Sequence, residues 1–458
     1  MKSIRVRVVA ALCFGLAAAC GAAEAPAFQN LRYEENGAAW REVEPAAALD
    51  RLKYIPLGDS DTLSLSLGGQ LRVRWEQWDN FGFAPANDDD FGLFRVRLHG
   101  DLRAGDAIRV FIEAKSAEST SRDLPGGRRT LDVDTLDLQN AFLDLATELG
   151  GWDTSLRVGR QELSYGAQRL VSPLDWSNTR RTWDGARAIF QNDGWRVDVF
   201  ATRPVVIEKY EFNEWNKDQA FYGVYAVHAV PDWKLAYDVY LLRLDTDLAA
   251  GDEERHTAGL RLKGTCALTG VEYDLEGGWQ FGDAGRDDIE AWFFAAEAGY
   301  TFADAALKPR VHLGYDYASG DDDPADGTRK TFNQLYPLGH AYLGYIDVLG
   351  RQNIAAFSQG ASCWLVEKKV QLRVDHHIFR RAERADAVYG VGGAVLREGD
   401  AGEAKDIGTE IDVTLSWKVD RNTQAAFGFS QFFAGDFIKE SGPSEDVKFL
   451  HASVQYTF

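Results

Sequence analysis

A strict alternation of apolar and polar residues beginning at Leu63 constrains the fold of this chain most. From Leu63 to Trp75 every second residue is apolar or glycine, and the residues between them, ending at Glu76, are small, polar or charged. A period of two residues is typical of an extended strand whose two faces meet different surroundings. At about 3.3 Å per residue, the run exceeds the roughly 9–11 residues with which a strand crosses an outer membrane.

The same alternation recurs along the rest of the chain and ends at Phe458, an aromatic residue on the apolar face of the last run. It predicts an all-β fold, a transmembrane antiparallel β-barrel of about 18 strands. The predicted strands cover residues 63–76, 94–103, 108–113, 134–146, 153–163, 181–192, 194–203, 218–230, 233–244, 255–265, 268–281, 290–302, 308–318, 353–366, 369–380, 406–418, 421–433 and 446–458.

The connections between these runs are of two kinds. Tight turns are predicted at Gly150-Gly151, at Asn192 to Gly194, at Pro231-Asp232 and at Val419 to Asn422. Long insertions fall at residues 116–132, 204–217, 319–352, 381–405 and 434–445. Short turns at one end and long loops at the other are typical of barrels with periplasmic turns and extracellular loops.

The first residues have the pattern of an export signal. Lys2, Arg5 and Arg7 precede an apolar run and then small residues, which predicts a secretory signal peptide over residues 1–23. A lipoprotein reading at Cys20 is the weaker alternative. We predict an N-terminal periplasmic or lumenal arm over residues 24–60 and the barrel over residues 61–458. No apolar run of about 18 residues follows the leader, so the predicted location is the bacterial outer membrane, reached without a transmembrane helix.

The segment from Leu156 to Arg187 carries an unusual density of charge. It holds six arginines, three carboxylates and two tryptophans between two predicted strands. Burial of so many charges in an apolar core would carry a large desolvation cost, whereas a water-filled interior tolerates them. We therefore expect this segment to line the lumen of the barrel. Alternation turns further cations inward, namely Arg95, Arg97, Arg109 and Arg373.

The net charge of −20 argues against nucleic acid or anionic lipid as a partner of the outer surface. Acidic residues concentrate in predicted loops, as at Asp88 to Asp90 and Asp321 to Asp323, where they favour solvation or divalent-bridged contact with lipopolysaccharide. Residues 322–333 lack the pattern of a calcium loop, so no metal site is predicted. Hydrolase, zinc-protease and phosphate-loop motifs are missing, and we predict neither catalysis nor a cofactor.

Several segments resemble the alginate-export family of outer-membrane proteins. The resemblance is carried by residues 31–35, 52–58, 68–76, the charged segment at 156–187 and residues 319–337, and it extends from about Leu31 to Phe458. It implies an 18-stranded monomeric barrel that passes the polyuronate alginate through an arginine-rich pore. By this resemblance the lumen cations are Lys53, Arg72, Arg74, Arg160, Arg181 and Arg187, and the carboxylates that hold them are Glu162, Asp175 and Asp184.

Two irregularities in the alternation predict local departures from a regular strand. Leu138 is out of phase with Leu143, which indicates a β-bulge between them. Arg160 shares the phase of Val158, which would turn its charge toward lipid at a cost of about 2–4 kcal/mol at mid-membrane. We therefore expect a bulge or the end of a strand near Gly159.

The predicted function is a channel that lets an anionic exopolysaccharide diffuse from the periplasm to the exterior. Guanidinium groups suit this role because they pair with carboxylates bidentately and stay charged at any ordinary pH. Two alternatives stay open: a general diffusion porin for anions or oligosaccharides, and a structural barrel whose pore is plugged by residues 319–352 and 381–405. The expected partners are the polysaccharide, lipopolysaccharide and periplasmic proteins of polymer synthesis.

Overall fold

The computed structural model describes residues 25–58, 62–248 and 251–458. Within them the chain forms a closed antiparallel barrel of 18 strands. The signal peptide predicted over residues 1–23 and the boundary between arm and barrel predicted at residues 60 and 61 lie outside the described residues.

The barrel strands are numbered β1 to β18 in chain order. They are Leu63–Asp79, Asp89–Ala104, Ile108–Ser119, Asp134–Leu149, Trp152–Gln161, Trp183–Asn192, Trp195–Val206, Gln219–Val230, Leu235–Thr246, Glu253–Thr265, Glu272–Ala284, Asp287–Thr301, Arg310–Ala318, Ile354–Val366, Val370–Arg381, Asp406–Lys418, Thr423–Ala434 and Val447–Thr457.

Each strand pairs with the next one along the chain, and the last pairs with the first. The closing seam joins β1 and β18 from Gln70 opposite Thr457 to Asp79 opposite Lys448. The predicted strands are all present, with ends that differ from the predicted ones by a few residues. The prediction of an 18-stranded antiparallel barrel is confirmed.

The remaining elements are short. Turns of 3-10 helix occur at Arg32–Glu34, Gly37–Trp40, Ala48–Leu52, Phe81–Phe83, Pro231–Trp233 and Gly339–Ala341, and one α-helix covers Asp436–Ser441. Short strands lie at Ile55–Pro56, Glu214–Trp215, Thr328–Arg329, Val388–Tyr389 and Val395–Arg397. No helix in the described ranges is long and apolar enough to cross a membrane.

The alternation seen in the sequence separates the two faces of the wall. Val73 and Leu98 are about half exposed on the outward face, whereas Arg74 and Arg97 are buried on the inward face. The bulge predicted near Leu138 is present, because Glu113 pairs with Asn140 and the next residue, Ala114, pairs with Leu138. The wall is therefore apolar outside and charged inside, as a spanning barrel requires.

The irregularity predicted near Gly159 is the end of a strand. β5 stops at Gln161, two residues beyond Gly159. Gly159 has a φ of +128°, and a Cβ atom there would lie 2.2 Å from the carbonyl oxygen of Ala141. This close approach of two backbones is open only to glycine.

The two ends of the barrel differ in the length of their connections. One end carries turns such as residues 105–107, 150–151, 367–369 and 419–422, and we name it the short-turn end. The opposite, long-loop end carries residues 80–88, 120–133, 162–182, 207–218, 319–353, 382–405 and 435–446. Two connections at that end are shorter, namely residues 247–252 and Gly285-Arg286.

Candidate functional site in the barrel lumen

The connection between β5 and β6, residues 162–182, folds into the barrel, and we name it the constriction loop. Its two ends are joined by Arg180, which donates from Nε and Nη2 to the two carboxylate oxygens of Glu162 at 2.7 and 2.6 Å. Further along, Arg169 donates to Asp274 and Glu276 on β11, both at 3.0 Å. The loop is thus fixed at its base and across the lumen.

Arginines of the wall hold the middle of the constriction loop. Arg72 donates to the carbonyl oxygens of Asp175 and Ser177 at 2.7 and 2.8 Å, and Arg95 donates to the Asp175 carboxylate at 2.8 Å. Burial opposes ionisation of Asp175, yet Arg180 and Arg95 hold the pKa of this carboxyl far below its usual range. Asp175 therefore stays charged and keeps the loop against β1 and β2.

A second connection, residues 319–353, also folds inward and packs on the constriction loop. The amide of Tyr336 donates to the carbonyl oxygen of Leu170 at 2.8 Å. The hydroxyl of Tyr342 donates to the carbonyl oxygen of Ala167 at 2.5 Å. The neighbouring connection, residues 382–405, packs on residues 319–353, where the amide of Gly350 donates to Tyr389. Both loops predicted as possible plugs thus meet over the long-loop end.

Aromatic rings fill one side of the lumen. Tyr165 of the constriction loop stacks on Tyr225 with ring centroids 4.6 Å apart, and Tyr225 stacks on Tyr240 at 5.2 Å. Phe200 lies 5.6 Å from Tyr165 on the other side. These rings close the side formed by β7 to β9, so the open space lies on the opposite side, along β14 to β18 and β1.

The arm, residues 25–58, enters the barrel at the short-turn end. Arg32 donates to the carbonyl oxygen of Phe458 at 2.8 Å, and the buried ring of Tyr33 packs against Phe142. Lys53 lies 3.5 Å from Glu35 and is also buried. Burial lowers the pKa of Lys53 to about 8, although Glu35 opposes the shift.

Two cavities occupy the open side of the lumen. The vestibule, of about 540 Å³, lies at the short-turn end between β14 to β18, the constriction loop and arm residues Asn30 and Leu31. The outer cavity, of about 370 Å³, lies toward the long-loop end. Arg74 and Trp176 line both cavities, so the two spaces approach each other at these residues.

The contact between the cavities is a stack of three planar groups. The Arg74 guanidinium lies 4.0 Å from the centroid of the Trp176 ring, and the His340 ring stacks on Trp176 at 3.8 Å. Arg74 is fixed by an ion pair with Glu76 at 2.7 Å, and His340 by Asp347 at 3.1 Å. Arg74 and His340 are therefore each held by a carboxylate outside the stack, and the Trp176 ring lies between them.

Positive charge dominates the vestibule. Asp175 is the one carboxylate among its described lining residues, and Arg180 and Arg95 neutralise it. None of the three lysines at the rim has a carboxylate within ion-pair distance in the described parts of the chain. The cations that line the vestibule are Arg72, Arg74, Arg180, Lys368, Lys369 and Lys418.

Most of the predicted lumen residues face inward, but many are braced arginines, that is, arginines held in ion pairs with carboxylates of the barrel. Arg97 pairs with Glu113 at 3.0 Å and lies 3.4 Å from Glu162, and Arg109 donates to Asp101 at 2.8 Å. In the same way, Arg187 lies 3.6 Å from Asp198, and Arg373 donates to Asp375 at 2.6 Å.

Arg181 differs from these braced arginines. It lines the outer cavity and donates to the carbonyl oxygen of Ser172 at 3.1 Å, with no carboxylate of the described residues in ion-pair range. Burial lowers its pKa to about 10, so it remains a cation at neutral pH.

The structure corrects the predicted positions of Arg160 and Asp184. Their side chains lie on the outward phase of β5 and β6, where Arg160 Nε donates to Asp184 at 2.8 Å, and the Asn213 carbonyl from loop 207–218 accepts a second bond from Arg160. The inward cation of β5 is Arg157, which pairs with Asp144 at 2.7 Å. Arg160 shares the phase of the exposed Val158, so alternation alone indicated that Arg160 faces outward. The family resemblance had instead assigned Arg160 to the lumen.

Four cations that line the vestibule were not among the predicted site residues, namely Arg180, Lys368, Lys369 and Lys418. Arg180 stands beside the predicted Arg181, and no pattern within an irregular loop distinguishes the two. Lys418 ends β16 and continues its inward phase with Ser416, so alternation could have found it. Lys368 and Lys369 lie in a turn, where alternation gives no direction.

Comparison with known proteins gives a family match and a set of similar folds. A family model described as alginate export matches residues 63–449. Two solved structures from Pseudomonas aeruginosa are similar. OccK8 (OprE) has a TM-score of 0.58 and 10% identity, and the match covers 86% of this chain and 98% of that one. OccK2 (OpdF) in complex with glucuronate has a TM-score of 0.56 and 11% identity, and the match covers 86% of this chain and 98% of that one. At such identities they show the fold alone. No curated protein sequence matches the chain.

Proposed function

Because the chain belongs to the alginate export family, we propose that it is an outer-membrane channel through which an anionic, alginate-like polysaccharide diffuses from the periplasm to the cell exterior. The observation that carries this proposal is the charge of the vestibule. Six cations line it, of which Arg74 and Arg180 are paired with carboxylates, whereas the three lysines at its rim have no such partner in the described residues. Its one carboxylate, Asp175, is neutralised by arginines. Transport rather than catalysis also fits the family and the porin-like fold.

The orientation follows from the asymmetry of the connections. Outer-membrane barrels place short turns in the periplasm and long loops outside. The vestibule then opens toward the periplasm, and the outer cavity opens toward the exterior. A polymer would pass the lysines at the rim, then Arg72 and Arg74, and leave beside Arg181.

The distribution of paired and unpaired cations supports selection of anions. Braced arginines such as Arg97 and Arg157 are neutralised by carboxylates at 3.0 and 2.7 Å. Lys368, Lys369 and Lys418 have no such partner in the described residues, so their field extends into the vestibule. Several weak sites in series suit a moving polyanion, because one tight site would hold it.

Chemistry known for a similar barrel agrees with this proposal. OccK2 (OpdF) has been crystallised in complex with glucuronate, a sugar carboxylate, although it shares only 11% identity with this chain. Lipopolysaccharide is the expected neighbour of the acidic long loops, and periplasmic polymer-synthesis proteins are the expected partners at the short-turn end. We expect the protein to act as a monomer without a cofactor.

The experiment is the reversal potential of the purified channel in a planar bilayer under a potassium chloride gradient. Wild type is expected to prefer chloride, and the triple variant Lys368→Gln, Lys369→Gln, Lys418→Gln is expected to lose much of that preference. Lys234→Gln is the matched control, because Lys234 is an exposed lysine in another turn of the same end and does not line the vestibule. A cation-preferring wild type, or a triple variant with unchanged selectivity, would contradict the proposal.

A general diffusion porin for small anions is the second candidate, and the similarity to Occ porins favours it. Alginate oligomers distinguish the two: a polymer channel is blocked for long intervals as chains thread, whereas a porin for small solutes shows little block. A plugged structural barrel is the third candidate, because the arm and two loops lie inside the lumen. A silent bilayer that contains folded protein would favour it.

A further inference from the structure

We infer that the vestibule is a binding site for the uncharged part of a saccharide, its ring face and hydroxyl groups, in addition to its charge. The inference rests on the proposed function and adds recognition of the sugar ring and its hydroxyl groups to the selection of charge. Five polar side chains and one tryptophan carry it, and all of them line the vestibule. They are Gln371, Ser416, Gln424, Ser453, Gln455 and Trp364.

The five polar residues form a ladder across four neighbouring strands. Gln371 on β15 stands opposite Ser416 on β16, and Gln424 on β17 stands opposite Gln455 on β18. Ser453 lies two residues from Gln455 on the same face and pairs with Arg74 across the seam. The ladder thus leads from the rim lysines to the arginines at the constriction.

The hydrogen-bonding groups of this ladder are free. None of its five side chains bonds to another protein group in the described part of the chain, although all five are at least partly exposed to the cavity. Other inward glutamines differ: Gln70 accepts from Arg95 at 2.9 Å, and Gln139 donates to Glu162 at 2.7 Å. Amides and hydroxyls each carry donors and acceptors, as sugar hydroxyls do, so the pairing is complementary.

Trp364 supplies an apolar platform beside the ladder. It shares the inward phase of Ser362 on β14, stands opposite Gln371, and lines the vestibule. Other large rings of the lumen, such as Trp176 and Tyr225, are covered by neighbouring rings. An apolar ring face framed by a few polar groups is the usual composition of a small-molecule site, and here it matches a pyranose ring.

A site of this kind binds a neutral sugar, which a purely electrostatic filter does not. The probe is therefore maltohexaose, an uncharged hexasaccharide, added to either side of single channels of the full chain. We expect discrete, concentration-dependent blocks of the current in wild type. Trp364→Ala and Gln371→Ala should each shorten the blocks roughly two- to tenfold, the factor that corresponds to one lost contact or hydrogen bond.

Two control variants remove the same residue types from the outward face. Gln359→Ala removes a glutamine from the same hairpin as Gln371, but the Gln359 side chain lies on the outward face, where it contacts His376. Trp279→Ala removes a tryptophan that is exposed on the outer wall. Both should leave block durations unchanged. Open channels on which maltohexaose produces no block, or blocks equally long in wild type and Trp364→Ala, would overturn the inference. Chloride preference, measured in the same bilayers, would then still decide the proposed function separately.

Discussion

Replacing Glu162 by glutamine should release the constriction loop and raise the conductance of the channel. Glu162 is fully buried and accepts from Arg180 at 2.7 and 2.6 Å and from Gln139 at 2.7 Å, with Arg97 at 3.4 Å. Loss of one partner of a buried ion pair costs about 3–5 kcal/mol. Here Arg180 retains Asp175 and Arg97 retains Glu113, so about 3 kcal/mol is expected.

A loss of about 3 kcal/mol shifts the balance between docked and released loop roughly a hundredfold. Trp176 lies within the constriction loop and lines both cavities, so release of the loop would join the vestibule to the outer cavity. Single-channel recordings of Glu162→Gln should therefore show flicker to a larger conductance level. Asp184→Asn is the matched control, since it breaks an ion pair on the outward face of the same wall. A steady current at the wild-type level in folded Glu162→Gln would refute the claim that this carboxylate holds the loop.

Three further predictions follow from individual contacts. Trp176→Ala removes the ring between Arg74 and His340, so we expect a larger conductance with chloride preference retained; an unchanged conductance would place the narrowest point elsewhere. Lys53 has a pKa of about 8 in the docked arm because it is buried, so between pH 8 and about 10.5 the undocked arm binds more protons and docking strengthens as pH rises. Protease cleavage of the arm should accordingly slow from pH 7.5 to 9.5 in wild type and not in Lys53→Met; faster cleavage at the higher pH would contradict this. Gly159→Ala forces a Cβ atom to within 2.2 Å of the Ala141 carbonyl and should cost about 1–3 kcal/mol, seen as an earlier heat-induced loss of the folded band on gels, whereas Gly392→Ala, with open space around it, should be neutral.

Period-two alternation was enough to predict the wall of the barrel. The strand from Leu63 to Glu76 can be predicted without knowing which strands lie beside it, because lipid on one face and water on the other require alternating apolar and polar residues. The displaced phases of Leu138 and Leu143 likewise predicted the bulge, and the phase of Val158 predicted either a bulge or a strand end near Gly159, of which the structure has the strand end. Local patterns thus carried local structure well.

The lumen could not be derived in the same way, because it depends on contacts between distant segments. Arg72 and Asp175 are 103 residues apart, and the bond between them runs to a backbone carbonyl that no residue pattern encodes. The prediction for Arg160 was wrong for the opposite reason. Arg160 was assigned to the pore with Glu162, although the phase of its own strand turns it outward. Irregular loops such as residues 162–182 have no period, so the direction of their side chains follows only from packing.

The position of the vestibule at the closing seam links its existence to the last step of barrel assembly. Arg72 and Arg74 belong to the first strand, whereas Gln455 and Ser453, which stand opposite them, belong to the last. These residues lie at opposite ends of the chain and become neighbours only when the two terminal strands meet. A barrel arrested before closure would have most of its wall but no vestibule, so the proposed path of the polymer would be absent from an immature molecule.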